Sequence, residues 1–188
     1  MFNRTRKVLF LDRDGVINVD HGYVYRQEDF EFVPGIFDLC RTAQRKGYEI
    51  IIVTNQSGIA RAYYKPEDFK RLMRWVRGRF FAEGIRLRQI KYCPHHPKQT
   101  GPFGLNCTCR KPRPGMIFKA RSQSMVNLSQ SIMIGDNLSD ILCARRAGIS
   151  KAALLKDGPT KFPGLKLEAK VKTPYYRAYS LSAIKALL

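Results

Sequence analysis

The chain has 188 residues, enough for one domain with a sizeable core, and its 44% hydrophobic and 26% charged composition is ordinary for a globular protein. Lysine and arginine outnumber aspartate and glutamate 34 to 15, a formal charge of +19 that favours anionic substrates or polyanionic partners. No apolar run reaches membrane-span length, and the amino terminus lacks a signal peptide's apolar segment, so the expectation is a cytoplasmic protein folded as a single domain over 1–188.

The first element is the run Val8-Leu9-Phe10-Leu11, a buried strand that stops at Asp12-Arg13-Asp14-Gly15. Residues i and i+2 of an extended chain face the same side, so Asp12 and Asp14 converge at the strand's end. Two carboxylates held close repel, and a hard divalent cation offsets that repulsion. Asp20 to Gly35 reads as a loop over this point. Ile36, Leu39, Cys40 and Ala43 recur at helical spacing, with Gly47 as a stop signal, so a helix spans Pro34 to Lys46.

Tyr48 to Val53 is a β-branched run ending in small polar groups at Thr54-Asn55-Gln56-Ser57-Gly58. Pro66, with Glu67 and Asp68 beside it, opens a helix through about Phe81 whose Leu72 and Trp75 face the core. Its Lys70, Arg71, Arg74, Arg77 and Arg79 read as a solvated face. Arg88 to Tyr92 is a short strand that leads into a proline- and glycine-rich insertion, 93–109. A helix from Pro114 to Met125, a strand at Ser131 to Ile134, a helix to Arg146 and a strand at Ala152 to Leu155 follow. From Lys156 onward the composition predicts a peripheral crossover and a short helix with Leu181, Ile184 and Leu188 inward.

Strands alternating with helices imply an α/β fold, a Rossmann-like parallel sheet with helices on both faces. Ligands of such sheets bind beyond the carboxyl ends of the strands, where Asp12, Asp14, Thr54 and Asp136 all fall. The five cysteines are an odd number, which in an unexported protein favours metal ligands or buried thiols over disulfides. Cys93-x-His95 and Cys107-x-Cys109, 11 residues apart, offer three thiolates and an imidazole, a closed tetrahedral set for a structural Zn²⁺. On spacing alone His96 competes with His95. Cys40 and Cys143 lie on helices outside this pattern and are expected in the core.

The residues Asp12-x-Asp14-Gly15-Val16-Ile17, strand-ending Thr54, Lys111 before a proline, and Gly135-Asp136-x-x-x-Asp140 resemble, in order, the four motifs of the haloacid dehalogenase superfamily of phosphatases. Asp20-His21-Gly22-Tyr23, Thr54-Asn55-Gln56-Ser57-Gly58-Ile59-Ala60-Arg61, Cys93-Pro94-His95-His96-Pro97 and Cys107-x-Cys109-Arg110-Lys111-Pro112 further resemble its D,D-heptose 1,7-bisphosphate phosphatase branch. Histidinol-phosphate phosphatases share much of this pattern.

The resemblance implies Mg²⁺-dependent removal of the 7-phosphate of D-glycero-D-manno-heptose 1,7-bisphosphate, a step toward lipopolysaccharide heptose, with histidinol phosphate the alternative substrate. In this frame Asp12 is the nucleophile that becomes an aspartyl phosphate, and Asp14 is its acid-base partner. Thr54 and Lys111 stabilise the transferred group, and Asp12, Asp14 and Asp136 hold Mg²⁺, Asp14 through its backbone carbonyl. Asp140 supports Lys111 or the metal waters.

By the same resemblance His95 is the zinc ligand and His96 is spared. The chain is too short for a large cap domain, so Asp20, His21, Gly22, Tyr23, Asn55, Gln56, Ser57, Arg110 and Asn137 are the expected substrate contacts. Asn137 departs from the family's pattern, standing where relatives often carry lysine. A different class of reading makes the basic chain a nucleic-acid-binding protein, with or without an end-phosphatase activity. The expected protein is a monomer acting on a phosphorylated small-molecule substrate.

Overall fold

Every residue of the first strand, β1 (Val8–Leu11), is buried, because both of its faces are covered. Leu9 and Leu11 point to one side of the sheet while Val8 and Phe10 point to the other, and the two sets belong to separate apolar cores. The computed structural model describes residues 5–156, 166–168 and 174–188.

Among the described residues seven strands form one sheet: β2 (Glu49–Asn55), β3 (Leu87–Cys93), β4 (Ile132–Gly135), β5 (Lys151–Leu155), β6 (Lys166–Glu168) and β7 (Tyr175–Ala178) join β1 in the order β3-β2-β1-β4-β5-β7-β6. The pairs β1 with β2, β1 with β4, β2 with β3 and β4 with β5 are parallel. The chain builds outward from β1 to β3 and then returns to place β4 on the other side of β1. That reversal opens a crevice at the carboxyl ends of β1 and β4.

Helices α1 (Ile36–Arg45) and α2 (Pro66–Ala82) pack on the face of Leu9, Leu11, Ile50 and Ile52 through Leu39, Phe69, Leu72, Val76 and Phe80. Helices α3 (Gly115–Ser124) and α4 (Leu138–Ala147) cover the other face through Ile117, Ala120, Ile141 and Ala144 against Phe10, Ile51 and Met133. Pro66 occupies the first turn of α2, and the Asp68 carboxylate accepts the Lys65 N–H at 2.9 Å, closing that helix end. Cys40 lies in the first core and Cys143 in the second, as expected of helical thiols.

The carboxyl-terminal region differs from the expected crossover. The sheet gains two further strands there, β7 (Tyr175–Ala178) parallel to β5, and β6 (Lys166–Glu168) antiparallel to β7. The short helix follows as α5 (Leu181–Ile184), with Leu181 and Ile184 buried under α1. Tyr175-Tyr176-Arg177-Ala178 carries no alternation long enough to announce a strand, and pairing to β5 supplies what the pattern lacks. The rest of the Gly-, Pro- and Lys-rich stretch lies outside the described residues. No helix among the described residues is long and apolar enough to cross a membrane.

Candidate active site

Asp12 follows the last residue of β1, and its backbone N–H donates to the Ile134 carbonyl of β4 at 2.9 Å, so its position is fixed by both strands. One carboxylate oxygen, Oδ1, accepts the Arg13 N–H at 2.7 Å; the other, Oδ2, lies 2.7 Å from Lys111 Nζ. Lys111 is almost fully buried, and its ammonium also meets Asp140 Oδ1 at 2.5 Å and the Val53 carbonyl at 3.0 Å. A buried ammonium is tolerable only with such partners. Burial works to lower the Lys111 pKa, but the Asp12 and Asp140 carboxylates outweigh it and raise it.

Asp136, at the end of β4, completes the group. Oxygens of Asp12, Asp136 and Asp140 lie within 4.8 Å of one another. Burial pushes the Asp12 carboxyl up to about 7, with Lys111 opposing and Asp140 adding to the rise. Burial likewise lifts Asp136 to about 6, again with a contribution from Asp140. Acidic oxygens crowded at the end of the sheet form a donor set that suits a hard divalent cation.

Two glycines let the backbone approach this closely. Gly15 adopts φ +74°, and a Cβ there would lie 2.7 Å from Asp136 Oδ2. A Cβ on Gly135 would fall 2.2 Å from the Asp140 side chain. Asp140 has a second task, because its Oδ2 accepts the Asn137 N–H at 3.1 Å while the Asn137 side chain caps Ser139 N–H at 2.9 Å. That reciprocal pair is a capping box at the start of α4. Asp140 thus both closes the start of α4 and pairs with Lys111.

Asp14 sits differently from the expected arrangement. Its carboxylate lines the same cavity but is not part of the Asp12, Asp136 and Asp140 group, and Oδ1 accepts from Arg13 Nε at 3.0 Å, from Arg13 Nη2 and from Asn18 Nδ2 at 3.1 Å. Oδ2 accepts only Gln56 Nε2, at 3.1 Å. Arg13, whose type and position give no sequence signal, is fully buried and lies 5.8 Å from the Phe69 ring centroid.

These groups open into a cavity of about 570 Å³ bordered by Asp12, Asp14, Lys111 and Asp136, by Asp20, Gly22 and Tyr23, and by Ser57, Arg110 and Asn137. Most of the expected substrate contacts thus meet in one place. His21 does not, since its ring points outward to Glu31 at 3.2 Å. Asn55 lines the cavity but spends both ends of its amide on the Lys111 backbone, at 3.0 and 3.2 Å. Thr54 is fully buried, and its Oγ1 accepts Gln56 Nε2 at 2.8 Å. Asn55 and Gln56 line the cavity and also orient other parts of the site.

The insertion begins where β3 ends. Cys93, His95, Cys107 and Cys109 bring their donor atoms within 4.8 Å of one another. Sulfur-to-sulfur distances are 3.1, 3.3 and 3.4 Å, and His95 Nδ1 lies 3.3 Å from Cys109 Sγ. These are far beyond a disulfide's S–S bond of about 2.05 Å and somewhat shorter than the roughly 3.8 Å edge of a zinc–thiolate tetrahedron, so the sulfurs are unbonded neighbours. Hydrogen bonds from Cys93 and its neighbours pull the Cys109 thiol down to about 5, and the same contact pushes Cys93 up. His96 stays outside, its Nδ1 accepting the Lys98 N–H. Arg110 directly follows and is held by Cys107 Sγ through its N–H and by the His95 carbonyl through its guanidinium.

Comparison with known proteins places this architecture. Residues 108–182 match a family model described as HAD-hydrolase-like. The chain is 43% identical over 154 residues to the D-glycero-beta-D-manno-heptose-1,7-bisphosphate 7-phosphatase of Vibrio cholerae, covering 81% of this chain and 83% of that protein. The chain belongs to the haloacid dehalogenase superfamily, in its heptose bisphosphate phosphatase branch. Another member of this branch, the D-glycero-alpha-D-manno-heptose-1,7-bisphosphate 7-phosphatase of Campylobacter jejuni, is 46% identical over 80% of this chain and 83% of its own length.

Among solved structures of the branch, the D,D-heptose 1,7-bisphosphate phosphatase of B. bronchiseptica, complexed with magnesium and phosphate, superposes with a TM-score of 0.79 at 26% identity. It covers 96% of this chain and 97% of that one.

Proposed function

We propose that this protein is a Mg²⁺-dependent phosphomonoesterase, a single phosphatase domain over 1–188 that removes the 7-phosphate of D-glycero-D-manno-heptose 1,7-bisphosphate. The observation that carries this reading is the convergence of Asp12, Lys111, Asp136 and Asp140 at the crevice between β1 and β4. The heptose phosphatases of similar sequence and fold support it.

Asp12, Asp136 and the Asp14 backbone carbonyl are the groups suited to hold Mg²⁺, with Asp140 beside them. The ion would neutralise charge on the transferred phosphoryl group. Asp12 supplies the nucleophilic oxygen, which attacks phosphorus in line to form an aspartyl phosphate. Its two oxygens are steered by the Arg13 amide and by Lys111, which limits the carboxylate to one rotamer. Asp14 gives a proton to the departing sugar alkoxide, then takes one from the water that hydrolyses the aspartyl phosphate.

Lys111, with its three donors committed to protein groups, acts through Asp12 and Asp140. Arg110, with a planar fork at the cavity wall, is placed to meet the second phosphate or a sugar hydroxyl. Cys93, His95, Cys107 and Cys109 are the groups that would hold a structural Zn²⁺, which would keep Arg110 and Lys111 in place.

A substrate panel tests the assignment. Both anomers of the heptose bisphosphate, simpler sugar phosphates and histidinol phosphate are compared, with the released and retained phosphates followed by ³¹P NMR. Loss of the C7 phosphate with the C1 phosphate intact is expected. A faster rate on histidinol phosphate would overturn the substrate assignment, and an Asp12→Asn variant of undiminished activity would overturn the mechanism.

A further inference from the structure

The two oxygens of Asp14 have unequal surroundings. Oδ1 receives three donors, two from Arg13 and one from Asn18, whereas Oδ2 receives only Gln56 Nε2. A proton on this carboxyl group therefore belongs on Oδ2, the oxygen not already filled by donors. Whether that proton reaches a leaving group depends on which end of the Gln56 amide faces it. An amide nitrogen has no lone pair to capture the proton, but an amide oxygen does.

A carboxamide does not choose its own orientation; its neighbours choose it. Tyr64 Oη donates to Gln56 Oε1 at 2.6 Å, which turns the oxygen away and leaves Nε2 toward Asp14 and Thr54. Tyr64 and Gln56 are both buried at the wall of the cavity. The phenol is itself wedged. Its ring stacks on Tyr25 with centroids 5.1 Å apart, and it presses so closely on Gly58 that a Cβ there would lie 2.2 Å from Cε1. The turn that returns the chain from Gln56 to Tyr64 includes Ala62 in the left-handed region, at φ 58°. This local strain has a result: a hydroxyl eight residues downstream meets the Gln56 amide.

We propose that Tyr64 is a positioning residue that fixes the Gln56 carboxamide with nitrogen toward Asp14, so that the Asp14 proton is delivered to the leaving group. The inference rests on the phosphatase reading and on Asp14 as the acid. Without the Tyr64 hydroxyl the amide turns over, and its oxygen accepts the hydrogen bond from protonated Asp14. The bond that breaks is still the ester P–O bond and the electron pair still leaves on the sugar oxygen, but the proton meant for that oxygen is held by Gln56.

Tyr64→Phe, Gln56→Met and the double variant are compared on two esters. A sugar alkoxide is a strong base and needs the proton, whereas p-nitrophenolate leaves without one. Tyr64→Phe is expected to lower kcat on the heptose bisphosphate by about tenfold and on p-nitrophenyl phosphate by less than about twofold, with KM little changed on either. Gln56→Met has no amide oxygen to trap the proton. The added Tyr64→Phe change should then cost nothing further, a non-additivity that marks one pathway.

Gly58→Ala, which pushes the ring aside without removing its hydroxyl, should reproduce the Tyr64→Phe pattern. Equal losses on both esters, or losses that multiply in the double variant, would overturn the proposal, and thermal melting separates either from misfolding. Asp12→Asn measured alongside keeps the two levels apart: undiminished hydrolysis there overturns the phosphatase reading, whatever Tyr64 does.

Discussion

The two clusters able to hold a metal are built on opposite principles. Asp12, Asp136 and Asp140 are oxygen donors at strand ends, crowded around a buried ammonium and open to a cavity. Cys93, His95, Cys107 and Cys109 are soft donors at a strand end and its following loop, four in number and within 4.8 Å of one another, enough to complete a tetrahedral set. The first leaves room for a ligand and is strained without a cation; the second leaves no room and substitutes for a core that a Pro- and Gly-rich loop lacks. Their difference separates a site that changes during turnover from one that stays closed.

The largest effect should come from breaking the oxygen cluster at its one cation. Lys111→Ala leaves the Asp12 and Asp140 carboxylates buried and unpaired. Activity should fall by about 10³-fold or more, and urea unfolding should register a loss of about 3–5 kcal/mol. Comparable stability in the variant would mean that Lys111 does not compensate those charges.

Next comes the sulfur cluster. Cys109→Ser should abolish stoichiometric zinc, measured by elemental analysis, and lower the melting temperature, while kcat falls by about 10- to 100-fold through loosened Arg110 and Lys111. Retained zinc with unchanged melting would remove the structural role. In contrast to a ligand change, His96→Ala should alter zinc content and rate by less than about twofold, whereas His95→Ala should behave like Cys109→Ser.

The smallest expected effect concerns pH. Burial raises Asp12 to about 7 and Asp136 to about 6, above their ordinary value of 3.8. A raised carboxyl pKa means that the metal-free fold is best accommodated with these groups protonated. Its stability declines as pH climbs from about 4 through 7 and they ionise. Magnesium ion should therefore raise the melting temperature more at about pH 7.5 than at about pH 5. An increment independent of pH would place the ion elsewhere. Removal by EDTA should stop turnover reversibly at either pH without releasing zinc.

Much of this was legible before the fold. Val8 to Leu11, Tyr48 to Val53 and Ser131 to Ile134 stand out as strands because apolar runs stop at polar groups, and those stops mark the cavity. The spacing of Cys93, His95, Cys107 and Cys109 held its own message, since four soft ligands in a loop have few other uses.

What a residue touches across strands was harder to read. Asn55 and Gln56 line the cavity as the sequence suggests, but their bonds to Lys111 and Tyr64 are invisible in it. Arg13 was hidden by its type, because a guanidinium with no exposed surface is rarely expected beside two carboxylates. The β6 and β7 strands owe their existence to pairing with β5 and to each other, a relation that no local pattern carries.

The hydrogen bond from the Asp12 amide to the Ile134 carbonyl links the site to the most deeply protected part of the sheet. β1 is flanked on both sides, by β2 and by β4. Amides in such a position exchange with solvent deuterium only when the whole domain opens, not through local fraying. The exchange rate at Asp12 is thus a thermometer of global stability placed at the reacting atom. Any variant that slows catalysis by unfolding the sheet will announce itself there, and one that acts on chemistry alone will leave that amide as slow as before.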